Sequence, residues 1–133
     1  MEFIKLYALS FSSLLAIDSI WLVKVAPKFY KSNIGHLMTD TPNLLAAGLF
    51  YVIYIAGLVV FVVQPAVTDK SLAFAATRGA LFGLVAYSTF DLTANAVFKN
   101  WPVKVTLIDM LWGTLLTAGV CTLATYLFIK FFA

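Results

Sequence analysis

The chain is 133 residues long, 62% of them hydrophobic and 11% charged, with a mean hydropathy of +0.97. Those values exclude an ordinary soluble domain and put the chain among integral membrane proteins. The net charge of +3 comes from basic residues scattered at the ends of apolar runs, which suits contact with anionic lipid head groups and gives no reason to expect nucleic acid.

Four apolar runs, about 3–25, 44–63, 71–98 and 103–131, each reach the roughly 20 residues that a spanning helix needs. The first contains Asp18 and continues into Trp21 and Leu22 without a small-residue cleavage site, which predicts a retained helix and not a signal peptide. Pro27 is expected to close it. In the following connection Tyr30, Ile34, Leu37 and Met38 recur at amphipathic spacing beside Lys28 and Lys31, which predicts a short interfacial helix. Thr41-Pro42 reads as an N-cap with a first-turn proline for the second span, Pro65 as its end, and Pro102 as the opening of the fourth. The expected fold class is therefore all-α: an integral membrane four-helix bundle, residues 1–133 forming a single transmembrane domain. Lys24, Lys28, Lys31, Lys99 and Lys104 fall on one side of the membrane and Lys5, Lys70, Arg78 and Lys130 on the other, so charge does not choose an orientation.

Asp18, Asp91 and Asp109 lie inside these runs, where a carboxyl at a helix centre costs roughly 2.5–3.5 kcal/mol on insertion scales and should face protein or water. Spans one and three run in one direction and span four returns, so all three carboxyls are expected in one leaflet, roughly 10 Å below the boundary at 1.5 Å per residue. The first and fourth spans each carry Asp-x-x-Trp, placing Asp18 with Trp21 and Asp109 with Trp112 on one helix face, and Thr106 lies one turn before Asp109. In the third span Ala75, Gly79, Gly83, Tyr87, Asp91 and Asn95 recur every four residues. The Ala75/Gly79/Gly83 part predicts close helix packing, and Tyr87, Ser88, Asp91 and Asn95 are near enough to share hydrogen bonds. Such groups can also serve only to join helices, by interhelical hydrogen bonds worth about 0.6–2 kcal/mol.

Cys121 is the sole cysteine and His36 the sole histidine, which leaves no intrachain disulfide, cysteine cluster, bis-histidine haem or histidine-box metal centre to expect. No metal and no cofactor is therefore expected, and no phosphate loop, dinucleotide fingerprint or Ser/His/Asp arrangement is present.

Asp18-Ser-Ile-Trp21-Leu22, Phe29-Tyr30, Phe50-Tyr51-Val-Ile-Tyr54 with Gly57, and Gln64-Pro65-Ala66 form a pattern that continues through Gly79, Gly83, Tyr87, Phe90-Asp91-Leu92-Thr93, Trp101-Pro102 and Asp109-Met-Leu-Trp112-Gly113-Thr114. It resembles a bacterial family of small four-span membrane proteins of unknown function, DUF2177, along nearly the whole chain. The resemblance implies a multi-pass protein of the bacterial inner (cytoplasmic) membrane and a context of membrane lipid modification.

Three functional readings follow. In the first, an Asp18/Asp91/Asp109 layer with Trp21, Trp112, Tyr87, Ser88, Asn95 and Thr106 binds a lipid-like or amphipathic small molecule. In the second, the carboxyls serve a proton-coupled or cation transporter, a homodimer whose interface is the Gly79/Gly83 surface. In the third, they act as acid and base in an intramembrane enzyme, or the chain is a non-catalytic subunit of a partner membrane enzyme. Membrane lipid is the common partner of all three.

Overall fold

The computed structural model describes residues 2–132, which are helical with short connections and, among the described residues, contain no strand. Four helical runs are long and apolar enough to cross a membrane: Glu2–Leu37, Leu44–Thr68, Leu72–Val97 and Val103–Phe132. Large apolar side chains such as Val23, Leu44, Ile53 and Phe61 are exposed on the outside of the bundle, the distribution expected where the solvent is lipid.

The first span does not stop at Pro27. Helix α1 (Glu2–Ile20) passes through a π-helical turn (Trp21–Val25) into α2 (Ala26–Ile34) and a final 3-10 turn (Gly35–Leu37). The Ala26 amide donates to the Trp21 carbonyl, a five-residue step, and Pro27 occupies the first turn of α2. A proline ring clashes with the carbonyl four residues before it and supplies no amide hydrogen. The wider π turn relieves that conflict at the cost of a local bend, so the chain stays helical. The amphipathic segment expected after Pro27 is thus α2, continuous with α1.

The second span repeats the device. Helix α3 (Leu44–Leu58) leads through a π-helical turn (Val59–Val63) into α4 (Gln64–Thr68), with the Gln64 amide donating to the Val59 carbonyl and Pro65 in the first turn that follows. Pro65 therefore does not end the span. At its start the cap is Asn43, not Thr41: the Asn43 side-chain oxygen accepts from the Ala46 amide at 3.1 Å, which satisfies one of the first-turn donors directly. Ser71 caps α5 (Leu72–Val97) in the same way, accepting from the Phe74 amide at 3.0 Å. A turn with Asn100 at φ 60° leads to Pro102, whose carbonyl accepts the first amide bonds of α6 (Val103–Phe132).

Helix α6 is the hub. It packs along α5 on one side and α1 on another, and the second span reaches it through the Val59–Val63 turn. The α5/α6 contact is close because glycines line it. A Cβ added at Gly83 would lie 2.2 Å from the Gly113 carbonyl oxygen, and one at Gly79 would lie 3.0 Å from the Thr117 carbonyl oxygen. Ala75 is fully buried on the same stripe. The Gly79/Gly83 surface is consequently filled by α6 of the same chain, and an interface between two copies cannot use it. Below the aspartates, Leu14, Ile55, Leu58, Leu116 and Val120 fill the interior. In lipid their contribution is close packing, since burial away from water supplies no gain there.

Candidate functional site

The carboxyls occupy the half of the bundle toward which α1 and α5 run and from which α6 starts. All three are buried, with 4%, 1% and 6% of Asp18, Asp91 and Asp109 exposed, so none faces lipid. They divide into a pair and a single group.

The pair is Asp91 on α5 and Asp109 on α6, whose carboxyls lie within hydrogen-bonding reach of each other. An ionised carboxylate only accepts, so the two close as a hydrogen bond when one of them carries a proton. The Tyr30 hydroxyl of α2 donates to Asp109 Oδ1, which draws the amphipathic segment over the start of α6. Asp91 Oδ1 is buried, and apart from the neighbouring Asp109 carboxyl no side chain or amide among the described residues donates to it. That is an uncommon condition for a native polar atom, and more costly in a low-dielectric interior than at a surface.

Asp18 stands apart. The Trp112 indole N–H donates to its Oδ1 and the Tyr51 hydroxyl donates to its Oδ2, both at 3.2 Å. Trp112 in turn stacks on Trp21, with ring centroids 4.8 Å apart and planes 10° from parallel. The two Asp-x-x-Trp segments thereby interlock: the tryptophan of α6 serves the aspartate of α1, and its ring is braced by the tryptophan one turn above that aspartate. Trp21 also meets Phe29 and Tyr30 edge-on, so an aromatic cluster joins Asp18 to the Asp91/Asp109 pair.

The other residues expected at the site separate. Thr106 donates to the Asp91 backbone carbonyl at 3.3 Å and accepts from the Trp101 indole at 3.0 Å, which fixes the α5/α6 hairpin beside the pair. Asn95 donates to the Trp101 carbonyl at 3.2 Å and not to a carboxyl. Ser88 turns back on its own helix, donating to the Val85 carbonyl at 3.1 Å. Tyr87, Ser88, Asp91 and Asn95 therefore share no hydrogen bonds, because serine satisfies itself locally and the α5/α6 turn draws Asn95 away. Tyr87 lies flat against Gly113, where an added Cβ would sit 2.2 Å from the ring.

A cavity of about 320 Å³ opens beside the pair, lined by Phe50, Ala86, Tyr87, Phe90, Asp91 and Asp109. Phe50 and Phe90 are exposed at the outer surface, so its mouth lies between the second and third spans, toward lipid. Among the described residues, no group of three or more His, Cys, Asp or Glu is placed to hold a metal ion. The family model described as a predicted membrane protein, DUF2177, matches residues 3–127. The chain belongs to that family. The DUF2177 match thus includes the second and third spans whole, most of the first and fourth, and every residue of the carboxyl cluster, while no curated protein and no solved structure matches the chain.

Tyr30, Tyr51, Tyr54 and Thr117 take part in the polar interior without having been singled out as site residues. Tyr54 and Thr117 share a short hydroxyl contact of 2.5 Å one layer below Asp18. Tyrosine in a spanning helix normally sits at the interface. Tyr51 and Tyr54 lie well inside theirs, at i and i+3, and that depth was the available signal.

Proposed function

We propose that this membrane protein binds the polar, hydrogen-donating head of a lipid-like or amphipathic molecule in the cavity between the second and third spans. The observation that carries the reading is the Asp91 carboxyl: apart from Asp109 no group among the described residues donates to its buried Oδ1, and Asp91 lines a cavity whose other walls are mainly aromatic or apolar. A hydroxyl or ammonium head would bond to Asp91 and Asp109, and the faces of Tyr87, Phe90 and Phe50 would meet the adjoining chain. At about 320 Å³ the cavity is at the lower end of small-molecule sites, which run from about 300 to 1,000 Å³, so the tail of such a ligand stays in the bilayer. In this reading Asp18, Trp21 and Trp112 hold the neighbouring wall. The membrane concerned is the inner membrane of a bacterium, as the family resemblance implies.

Native mass spectrometry of protein extracted gently from membranes tests this. Wild type and Asp18→Asn should carry one discrete bound mass that Asp91→Asn lacks. The same unselective lipid on all three would overturn the proposal.

A second reading, proton or cation transport, is favoured by one further observation. Ser10, Ser13 and Thr125 are buried, their hydroxyls unpartnered among the described residues, on the opposite side of Asp18 from the Asp91/Asp109 pair. Together with Tyr54 and Thr117 they extend the polar interior toward the other face of the bundle. Proton flux into liposomes that is lost in Thr125→Val would favour transport, and sealed vesicles with wild-type protein would remove it.

A further inference from the structure

A second feature on the same side of the bundle is independent of the cavity. Lys24 in the first π-helical turn, Lys28 in α2 and Lys104 in the first turn of α6 line one groove of about 330 Å³ together with Val25, Phe29, Ser32 and Asn33. The three ammonium groups come from two separate helical runs, and no carboxylate lines the groove. Lys31 and Lys99 lie on the same membrane side but outside it, so the groove is a selected subset of the lysines at this face and not their sum.

Three like charges converging on one groove repel each other unless an anion or water separates them, and among the described residues no carboxyl lines it: Asp40, exposed in the connection on this face, lies outside the lining, as do three carboxyls in the same leaflet. Those three carboxyls are buried inside the bundle while all three lysines are exposed. The height also matters. Lys24 follows Asp18 by six residues, which places it about 9 Å nearer the membrane surface at 1.5 Å per residue, where lysine side chains extend to the head-group level. The groove also meets the first turn of α6, whose positive dipole end favours an anion. Ser32 and Asn33 add neutral donors, Asn33 using one amide hydrogen on the Phe29 carbonyl at 2.7 Å. Phe29 and Val25 give the groove an apolar side of the kind an acyl chain or glycerol backbone would meet.

We infer that this groove is a phosphate site, formed by Lys24, Lys28 and Lys104 with Ser32 and Asn33, that takes the phosphoryl head group of an anionic molecule at the membrane surface. Two sources share that chemistry: the head group of an anionic phospholipid and a free phosphate or phosphate ester. Retention of phosphatidylglycerol by the full chain in a neutral detergent, followed by native mass spectrometry against phosphatidylcholine, tests the site. A lysine near an anionic surface is worth about 1 kcal/mol, about a fivefold factor, so Lys28→Gln/Lys104→Gln should weaken phosphatidylglycerol retention by about 25-fold.

Lys31→Gln/Lys99→Gln removes the same charge from the same membrane side and should leave retention within about twofold. Lys28→Arg/Lys104→Arg should retain the lipid, which separates charge from loss of fold, and Lys104→Gln alone should show the single fivefold step. Competition by inorganic phosphate at matched ionic strength would assign the site to free phosphate or its esters, whereas loss only to anionic lipid would assign it to the phospholipid head. Equal losses in the two glutamine pairs, or equal retention of phosphatidylglycerol and phosphatidylcholine by wild type, would overturn the inference.

Discussion

Replacement of Gly83 by alanine is the most direct test of how the bundle holds its carboxyls. The new Cβ would meet the Gly113 carbonyl oxygen at 2.2 Å and the Thr117 Oγ1 at 2.6 Å, more than an ångström short of ordinary contact with the first. The obstacle is backbone and cannot rotate aside, so α5 and α6 must part. Over-packing of this kind costs about 1–3 kcal/mol, and the rigid obstacle argues for the upper end. Alanine returns about 1 kcal/mol of helix propensity, which leaves a net loss of about 2 kcal/mol. Gly48→Ala supplies the reference, because nothing lies within 4 Å of its added Cβ and only the propensity gain of about 1 kcal/mol remains. Gly79→Ala, with contacts of 3.0–3.1 Å, should fall between them. Unfolding of the three variants by sodium dodecyl sulfate in mixed micelles, followed by circular dichroism, should rank them Gly48→Ala, Gly79→Ala, Gly83→Ala, with about 3 kcal/mol from first to last. Equal stability of Gly48→Ala and Gly83→Ala would refute the close α5/α6 packing on which the site geometry rests.

Two other outcomes follow from the interior. Tyr54→Phe and Thr117→Val each break one buried hydroxyl contact, and a double-mutant cycle in the same micelles should return a coupling of about 0.6–2 kcal/mol, while additive losses would mean the contact is not made. Cys121 is fully buried between α5 and α6, so a maleimide should label it only after denaturation, and rapid labelling of folded protein would contradict the packing there.

Much of the architecture is readable in the chain because membrane physics is strict. Runs of about 20 apolar residues leave few alternatives to spanning helices, and the glycine spacing of the third span marks the face that meets α6. The prolines misled for a local reason. Pro27 and Pro65 read as helix ends on steric grounds, yet each follows a π-helical turn that makes room for its ring, and a one-residue widening has no compositional signature. Depth in the membrane was legible for the aspartates, but rotation about each helix axis was not. Depth alone suggested one layer of three carboxyls. The observed separation into Asp91 with Asp109, and Asp18 with Trp112 and Tyr51, depends on which face each helix turns inward. Asn95 and Ser88 shared the stripe with Asp91 and still bond elsewhere, because nearer backbone carbonyls compete for their donors.

The central position of α6 also bears on how the protein is made. As the chain enters the membrane, the first three spans arrive before the helix that all of them lean on. Until α6 is inserted, Asp18 has Tyr51 but not Trp112, and Asp91 lacks both the Asp109 carboxyl beside it and the Thr106 hydroxyl on its backbone. The half-inserted chain therefore holds its least lipid-soluble groups without most of their partners. Entry of α6 supplies those missing partners, so the contacts of the finished fold predict a late closure of the bundle and not a series of independent additions.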